Sequence, residues 1–234
     1  MSQILTLAVC VSKGVTLSDF VTPMEILAGI NGVHGPSPGT DAAELPPFKV
    51  VFEYIAPTLD SIVSDAGPAS ATFNPTKMYG EIAASGQQFD ILWVPAGPRP
   101  NSSSRVDLKE QINFIRAQAP KAKYILSVCT GAIQLAFVGV LSGKMATTNK
   151  ALYNLILETA AAASVKDIEW VPKARWVVDG NVWTSSGATA GSDMALAFLE
   201  HLAGAPLAHQ IRNMFEKQEV SGEDDPFATY YGLI

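Results

Sequence analysis

Three apolar runs of strand length, Ile4 to Val11, Phe89 to Pro95 and Lys123 to Val128, limit the fold more than any other feature of the chain. Runs without polar alternation belong to strands covered on both faces. Helical patterns separate them, and strands alternating with helices at this spacing require a mainly parallel sheet with helices above and below. Lys49 to Ala56 supplies a further strand, and residues 60–75, broken at Gly67, Pro68 and Pro75, read as short strands or hairpins. Ala174–Val178 and Val182–Ser185 flank Asp179-Gly180-Asn181, a hairpin turn signal. Thr22-Pro23-Met24-Glu25 joins a capping box to a Pro at the first helical position and opens a helix to about Ile30. Further helices are expected over about 106–119, 130–140, 150–163 (capped by Thr148 or Asn149), 190–203 and 206–218, with a surface loop at 34–47. No repeat, linker or low-complexity tract divides the chain. It reads as one α/β domain over 1–222 with an acidic tail, 223–234, whose Phe227, Tyr230 and Tyr231 are expected to pack on the body or on a partner subunit.

Hydrophobic residues make up 48% and charged ones 16%, ample for a core and too apolar for disorder. A net charge of -6 with scattered Lys and Arg argues against nucleic acid and against an anionic membrane surface. No apolar run approaches the roughly 20 residues that span a bilayer. The first strand has no basic residue before it and no small-residue cleavage site, and Cys10 and Cys129 are the only cysteines, so a reducing cytoplasm is expected. Asn101-Ser102-Ser103 then reads as a polar loop.

The chain has no His-Glu-x-x-His, Cys-x-x-Cys, Gly-x-Ser-x-Gly or Gly-x-Gly-x-x-Gly after the first strand, and Gly139 to Lys144 is one residue short of a phosphate-binding loop. No metal or organic cofactor is expected. What remains is Ser127-Val128-Cys129-Thr130-Gly131-Ala132, where a buried strand ends and small residues let the chain turn into a helix. Ligands of open α/β sheets bind at the carboxyl ends of strands, which is where Cys129 falls. The dipole of the following helix favours thiolate, lowering an ordinary thiol pKa of about 8.5. The competing reading is a cysteine that fills a tight corner, as Cys10 does within the first strand.

Val128-Cys129-Thr130-Gly131-Ala132, the later Gly143-Lys144-Met145-Ala146-Thr147-Thr148, and the stretch from Ala174 through Gly187 to Asp193 together resemble the ThiJ/PfpI superfamily. Leu17-Ser18-Asp19 through Pro23-Met24-Glu25 is similar to the first-helix pattern of its isonitrile hydratase-like branch. The resemblance runs from about residue 4 to residue 204. It implies a three-layer α/β/α sandwich of the flavodoxin-like, class I glutamine amidotransferase-like kind, and a homodimer acting on a small molecule. It also implies Cys129 as nucleophile, Asp19 as the acid beside it, Thr130 as a further site residue, and backbone donors at Gly97, Thr130 and Gly131 for developing negative charge.

Each assignment has a plainer competitor. Asp19 pairs with Thr16 at capping spacing, Glu25 and Thr130 suit capping roles, and Asp193 suits the dipole of a helix start. His34, His201 and His209 read as surface residues. Relatives often carry His where this chain has Asn149, which disfavours a Cys-His pair. The activity implied is hydration of an isonitrile to an N-substituted formamide. The alternatives are glyoxalase or deglycase chemistry on α-oxoaldehydes and a non-catalytic cysteine redox sensor; the chain is too short to carry an attached DNA-binding domain. Pro98 to Arg105, following Gly97, is placed at the pocket rim.

Overall fold

In the computed structural model, which describes residues 3–35, 41–64, 67–98, 108–165 and 167–234, the apolar runs become adjacent strands. Among the described residues the strands are, in chain order, β1 (Gln3–Cys10), β2 (Phe48–Ala56), β3 (Ile62–Val63), β4 (Thr72–Phe73), β5 (Lys77–Met78), β6 (Ile91–Val94), β7 (Tyr124–Val128), β8 (Lys144–Ala146), β9 (Ile168–Trp170), β10 (Trp176–Asp179) and β11 (Val182–Ser185). Seven form the central sheet in the order β10-β11-β7-β6-β1-β2-β5, parallel throughout except for the β10–β11 hairpin. That hairpin turns at Gly180, whose φ is +62°.

Period-two alternation sends side chains to two separate cores. Leu5, Leu7 and Val9 of β1, Trp93 of β6 and Leu126 and Val128 of β7 point to one face. There they meet α1 (Val21–Leu27) and two helices that we number α6 (Ala188–Ala203) and α7 (Ala205–Met214). Ala8, Cys10, Leu92, Val94 and Ile125 point to the other face. They are covered by α2 (Tyr79–Ser85), α3 (Lys109–Gln118), α4 (Gly131–Phe137) and α5 (Tyr153–Ala162). A short α8 (Pro226–Tyr230) closes the chain. The result is an α/β fold with helices on both sides of a mainly parallel sheet.

Several local readings change. The Thr22 capping box does not form: α1 begins at Val21 behind Phe20, with no side-chain cap. Phe20 is wholly buried and its carbonyl accepts from Met24 N at 2.9 Å, so tertiary packing sets the helix start. Pro23 then lies within the first turn, where a missing N–H costs nothing. The helices expected over 130–140 and 206–218 are shorter, ending at Phe137 and Met214. The parallel β8–β9 pair and helix α2 went unread in the sequence. The expected helix start at Val106 lies outside the described residues.

The turn after β7 is built on close approach. A Cβ on Gly131 would lie 2.2 Å from the Val94 carbonyl oxygen and 2.9 Å from that of Pro95. Both are backbone atoms of the neighbouring strand end and cannot step aside. We therefore expect Gly131→Ala to cost at least about 1–3 kcal/mol, lowering Tm by roughly 2–12 °C. An unchanged thermal melt would show that the β6 and β7 ends do not touch as described.

Candidate active site

Cys129 follows directly on β7 with φ +59°, a left-handed backbone that residues bearing a Cβ adopt at a cost of about 1–3 kcal/mol. Its environment fixes that conformation. The Cys129 N–H donates to the carbonyls of Ser186 (2.9 Å) and Ser185 (3.2 Å) at the end of β11. Its own carbonyl accepts from Thr148 Oγ1 at 2.8 Å. The next side chain, Asn149, donates from Nδ2 to Cys129 Sγ at 3.2 Å, while its Oδ1 accepts from Leu152 N at 2.9 Å. Asn149 thus serves the entry to α5 and the sulfur at once. Gly187 makes room for it, since a Cβ there would lie 3.2 Å from Asn149 Nδ2.

Asp19 ends a single 3-10 turn, Leu17–Asp19, after β1. It is wholly buried. Its Oδ2 accepts from Ala96 N at 2.9 Å, and its backbone carbonyl accepts from the Trp93 indole N–H at 2.9 Å. Its Oδ1 has no hydrogen-bond partner among the described residues. Burial raises its pKa to about 7, opposed by the Ala96 N–H. Thr16 makes no side-chain cap here, so the capping alternative for Asp19 does not hold.

The sequence expectation of an acidified thiol is corrected. Burial, and then the nearby Asp19 carboxylate, push the Cys129 pKa up to about 12; the Thr130 N–H and the Asn149 amide pull against them. The helix-terminal donor is present but is outweighed by desolvation and by a like charge. The thiol therefore keeps its proton at neutral pH, where the Asp19 carboxyl passes between its two forms.

Cys129, Asp19, Thr130, Gly131 and Gly97 all lie at the carboxyl ends of β7, β6 and β1, which are consecutive in the sheet. The switch in chain order falls between β6 and β1, where open sheets place ligands. Thr130 is buried, and its hydroxyl does not cap α4. Gly97 sits against Ser12 Oγ and the Gln134 amide. Gln134 in turn donates to the Pro95 carbonyl (3.2 Å) and accepts from Gln111 (2.7 Å), a buried polar strut under the turn. Residues 99–105, read as a pocket rim, lie outside the described residues.

Other acids and bases are occupied elsewhere. Glu25 is exposed and caps no helix. Asp193 lies inside α6 rather than at its start, and holds Arg175 Nε (2.8 Å) and Lys217 Nζ (2.8 Å). His34 contacts the Glu25 carbonyl, and His201 the Tyr124 hydroxyl. Among the described residues, no group of three or more His, Cys, Asp or Glu could hold a metal ion, and no helix is long and apolar enough to cross a membrane.

Sequence reasoning missed Lys150. Its side chain is buried, with Nζ donating to Thr147 Oγ1 (2.6 Å) and the Ala174 carbonyl (2.7 Å). Burial lowers its pKa to about 8, with Asp225 opposing and Arg175 adding to the shift. It ties the loop bearing Thr148 and Asn149 to the segment before β10. No local pattern marks it, because its burial depends on Ala174, 24 residues away, as well as on the nearby Thr147.

The sequence profile of the DJ-1/PfpI family matches residues 6–201. The chain is 39% identical to an isonitrile hydratase of Pseudomonas putida over 127 residues, 54% of this chain and 51% of that protein. It is 33% identical to a deglycase of Pyrococcus horikoshii over 101 residues, 43% of this chain and 54% of that protein. The chain thus spans about half the length of these curated relatives. The crystal structure of Drosophila melanogaster DJ-1beta superposes with a TM-score of 0.68 at 19% identity, covering 94% of this chain and 100% of that one, a likeness of fold.

The raised Asp19 pKa has a stability consequence whose sign is fixed. An unfolded Asp releases its proton near pH 3.9, whereas folded Asp19 keeps it to about pH 7. Between those values the folded chain holds the extra proton, so the Asp19 contribution to stability is fully present below about pH 4 and is lost as pH rises to 7. The expected loss is roughly 2–4 kcal/mol. Urea unfolding of the parent and of Asp19→Asn across pH 4–8 should show this decline in the parent only; parallel profiles would mean an ordinary carboxyl.

Proposed function

Because the chain belongs to the DJ-1/PfpI family, we propose that it is a cysteine-dependent hydratase that turns an isonitrile into an N-substituted formamide. The observation that carries the reading is the pairing of a left-handed Cys129 with a buried Asp19 whose Oδ1 is unpartnered. The isonitrile hydratase relative supports the substrate class.

The chemistry suits a protonated thiol beside a carboxyl that ionises near neutral pH. Isonitrile hydration begins with net addition of S–H across the terminal carbon, so the thiol proton is consumed rather than discarded. Asp19 as carboxylate takes the proton from Cys129 while Sγ bonds to the carbon, then delivers it to that carbon, giving a thioimidate. A carboxyl tuned to about 7 is matched to both halves of this transfer near neutral pH. Water then adds to the C=N carbon through Asp19, which takes one proton from the water and returns it to the nitrogen, leaving the hydroxyl proton to pass to sulfur. The C–S bond breaks, releasing the formamide and restoring the thiol. Asn149 Nδ2 and the Thr130 N–H steady the sulfur whenever it carries charge. The Gly97 and Gly131 backbone donors are assigned to charge developing on the substrate. The homodimer remains part of the reading on family membership alone.

Attack of Cys129 on an α-oxoaldehyde is the second reading, favoured by the deglycase relative. Asn149 in the place of a histidine leaves that chemistry without an imidazole base.

The test is formamide formation from a simple alkyl isonitrile. Cys129→Ala should abolish turnover, and Asp19→Asn should lower kcat by about 10²–10⁴-fold, with folding intact by circular dichroism. Full activity in Cys129→Ala would refute the mechanism. No turnover by the parent, with lactate formed from methylglyoxal instead, would move the assignment to the second reading.

A further inference from the structure

Thr148 and Asn149, which hold the Cys129 carbonyl and sulfur, stand side by side on one loop. Bonds within that loop cannot fix its distance from the sulfur. The bond from Leu152 N to Asn149 Oδ1 (2.9 Å) orients the amide, but it moves with the loop. The anchors are the flanking residues. Before the pair, Thr147 donates from its N–H to Thr184 Oγ1 of β11 (2.8 Å) and from its hydroxyl to the Val171 carbonyl (2.9 Å). After the pair, Lys150 Nζ donates back to Thr147 Oγ1 (2.6 Å) and across to the Ala174 carbonyl (2.7 Å). The ammonium closes the turn on itself and fastens it to the segment before β10.

A buried ammonium is a costly way to fasten a loop. Lys150 is 3% exposed, and the downward pull of burial on its pKa is opposed by Asp225 of the C-terminal segment. An apolar side chain of similar length would fill the same space without that desolvation, so packing alone does not account for a lysine here. Its charge does not act on the sulfur directly either. Besides burial, the groups that move the Cys129 pKa are the Asp19 carboxylate, the Thr130 N–H and the Asn149 amide. What the geometry leaves to Lys150 is the placing of Asn149.

We propose that Lys150 is a positioning residue: by closing the turn from Thr147 against the Ala174 carbonyl, it holds Asn149 Nδ2 at Cys129 Sγ and so governs how readily the sulfur takes charge. The inference rests on Cys129 as the nucleophile of the proposed hydratase, and adds to that site a residue that acts on the sulfur through Asn149.

The test is the rate at which iodoacetamide alkylates Cys129 at mildly alkaline pH, followed by intact mass, since the thiolate is the form that reacts. Lys150→Met, close in length but without charge or donor, should slow alkylation about tenfold, the worth of a hydrogen bond to a charged group, and so should Asn149→Ala. The double variant should be no slower than either single one, the signature of two residues acting through one bond. Thr147→Val keeps the ammonium but removes its acceptor; it should also slow the reaction, and it carries the test if Lys150→Met does not fold. A site merely loosened around Cys129 would react faster than the parent, and that outcome overturns the proposal. So does a parent-like rate in Lys150→Met or Thr147→Val, or a loss in the double variant equal to the product of the single losses. Formamide release from the isonitrile, followed alongside, should fall in kcat by a similar factor. Coupled alkylation rates with no isonitrile turnover by the parent uphold the positioning and remove the hydratase reading. Isonitrile turnover by the parent, with alkylation unchanged in Lys150→Met, does the opposite.

Discussion

A positive φ at a residue with a side chain persists only where its surroundings over-determine it, and at Cys129 four elements do so. The end of β11 accepts the Cys129 N–H, and the loop after β8 holds its carbonyl and its sulfur. The end of β6 presses on Gly131, and Gly191 of α6 lies so close to Val128 that a Cβ would meet its Cγ1 at 2.6 Å. Relaxing the turn would require all four to move. The arrangement lifts the thiol above the sheet edge, and its cost is spread across the contacts of the parallel strands.

The same closeness that positions the sulfur withholds its charge. Burial and the Asp19 carboxylate outweigh the donors at the start of α4, so the thiol stays protonated where an isolated cysteine beside a helix terminus would ionise. A site of this kind is poorly suited to waiting as a free thiolate. It suits additions in which sulfur and proton both join the substrate, because nothing has to be discharged to solvent before the bond forms.

Much of this was legible in the sequence because it is local. The apolar runs set the strands, Asp179-Gly180-Asn181 set the hairpin, and Val128-Cys129-Thr130-Gly131 marked the candidate site turn. Asp19 was reachable through resemblance, since its partner Ala96 is 77 residues away. Three things stayed hidden for one reason. The direction of the thiol pKa, the bond from Asn149 to sulfur and the buried ammonium of Lys150 all depend on distances across the fold that no short spacing encodes. Asn149 could be read only as a missing histidine; placed on Cys129, it becomes a donor in its own right. The failed Thr22 box makes the same point at a helix end, where burial of Phe20 prevailed over a good local signal.

The second cysteine gives the molecule a built-in gauge. Cys10 is wholly buried in the middle of the sheet, and burial alone raises its pKa far above the ordinary thiol range. Only Cys129 retains access to solvent. A thiol reagent added to the native chain therefore counts one sulfur, and added to the unfolded chain counts two. The ratio reports the integrity of the core and the state of Cys129 in a single titration. Any covalent change at Cys129 lowers the native count to zero while Cys10 still registers on unfolding, so chemical inactivation and loss of fold leave different signatures.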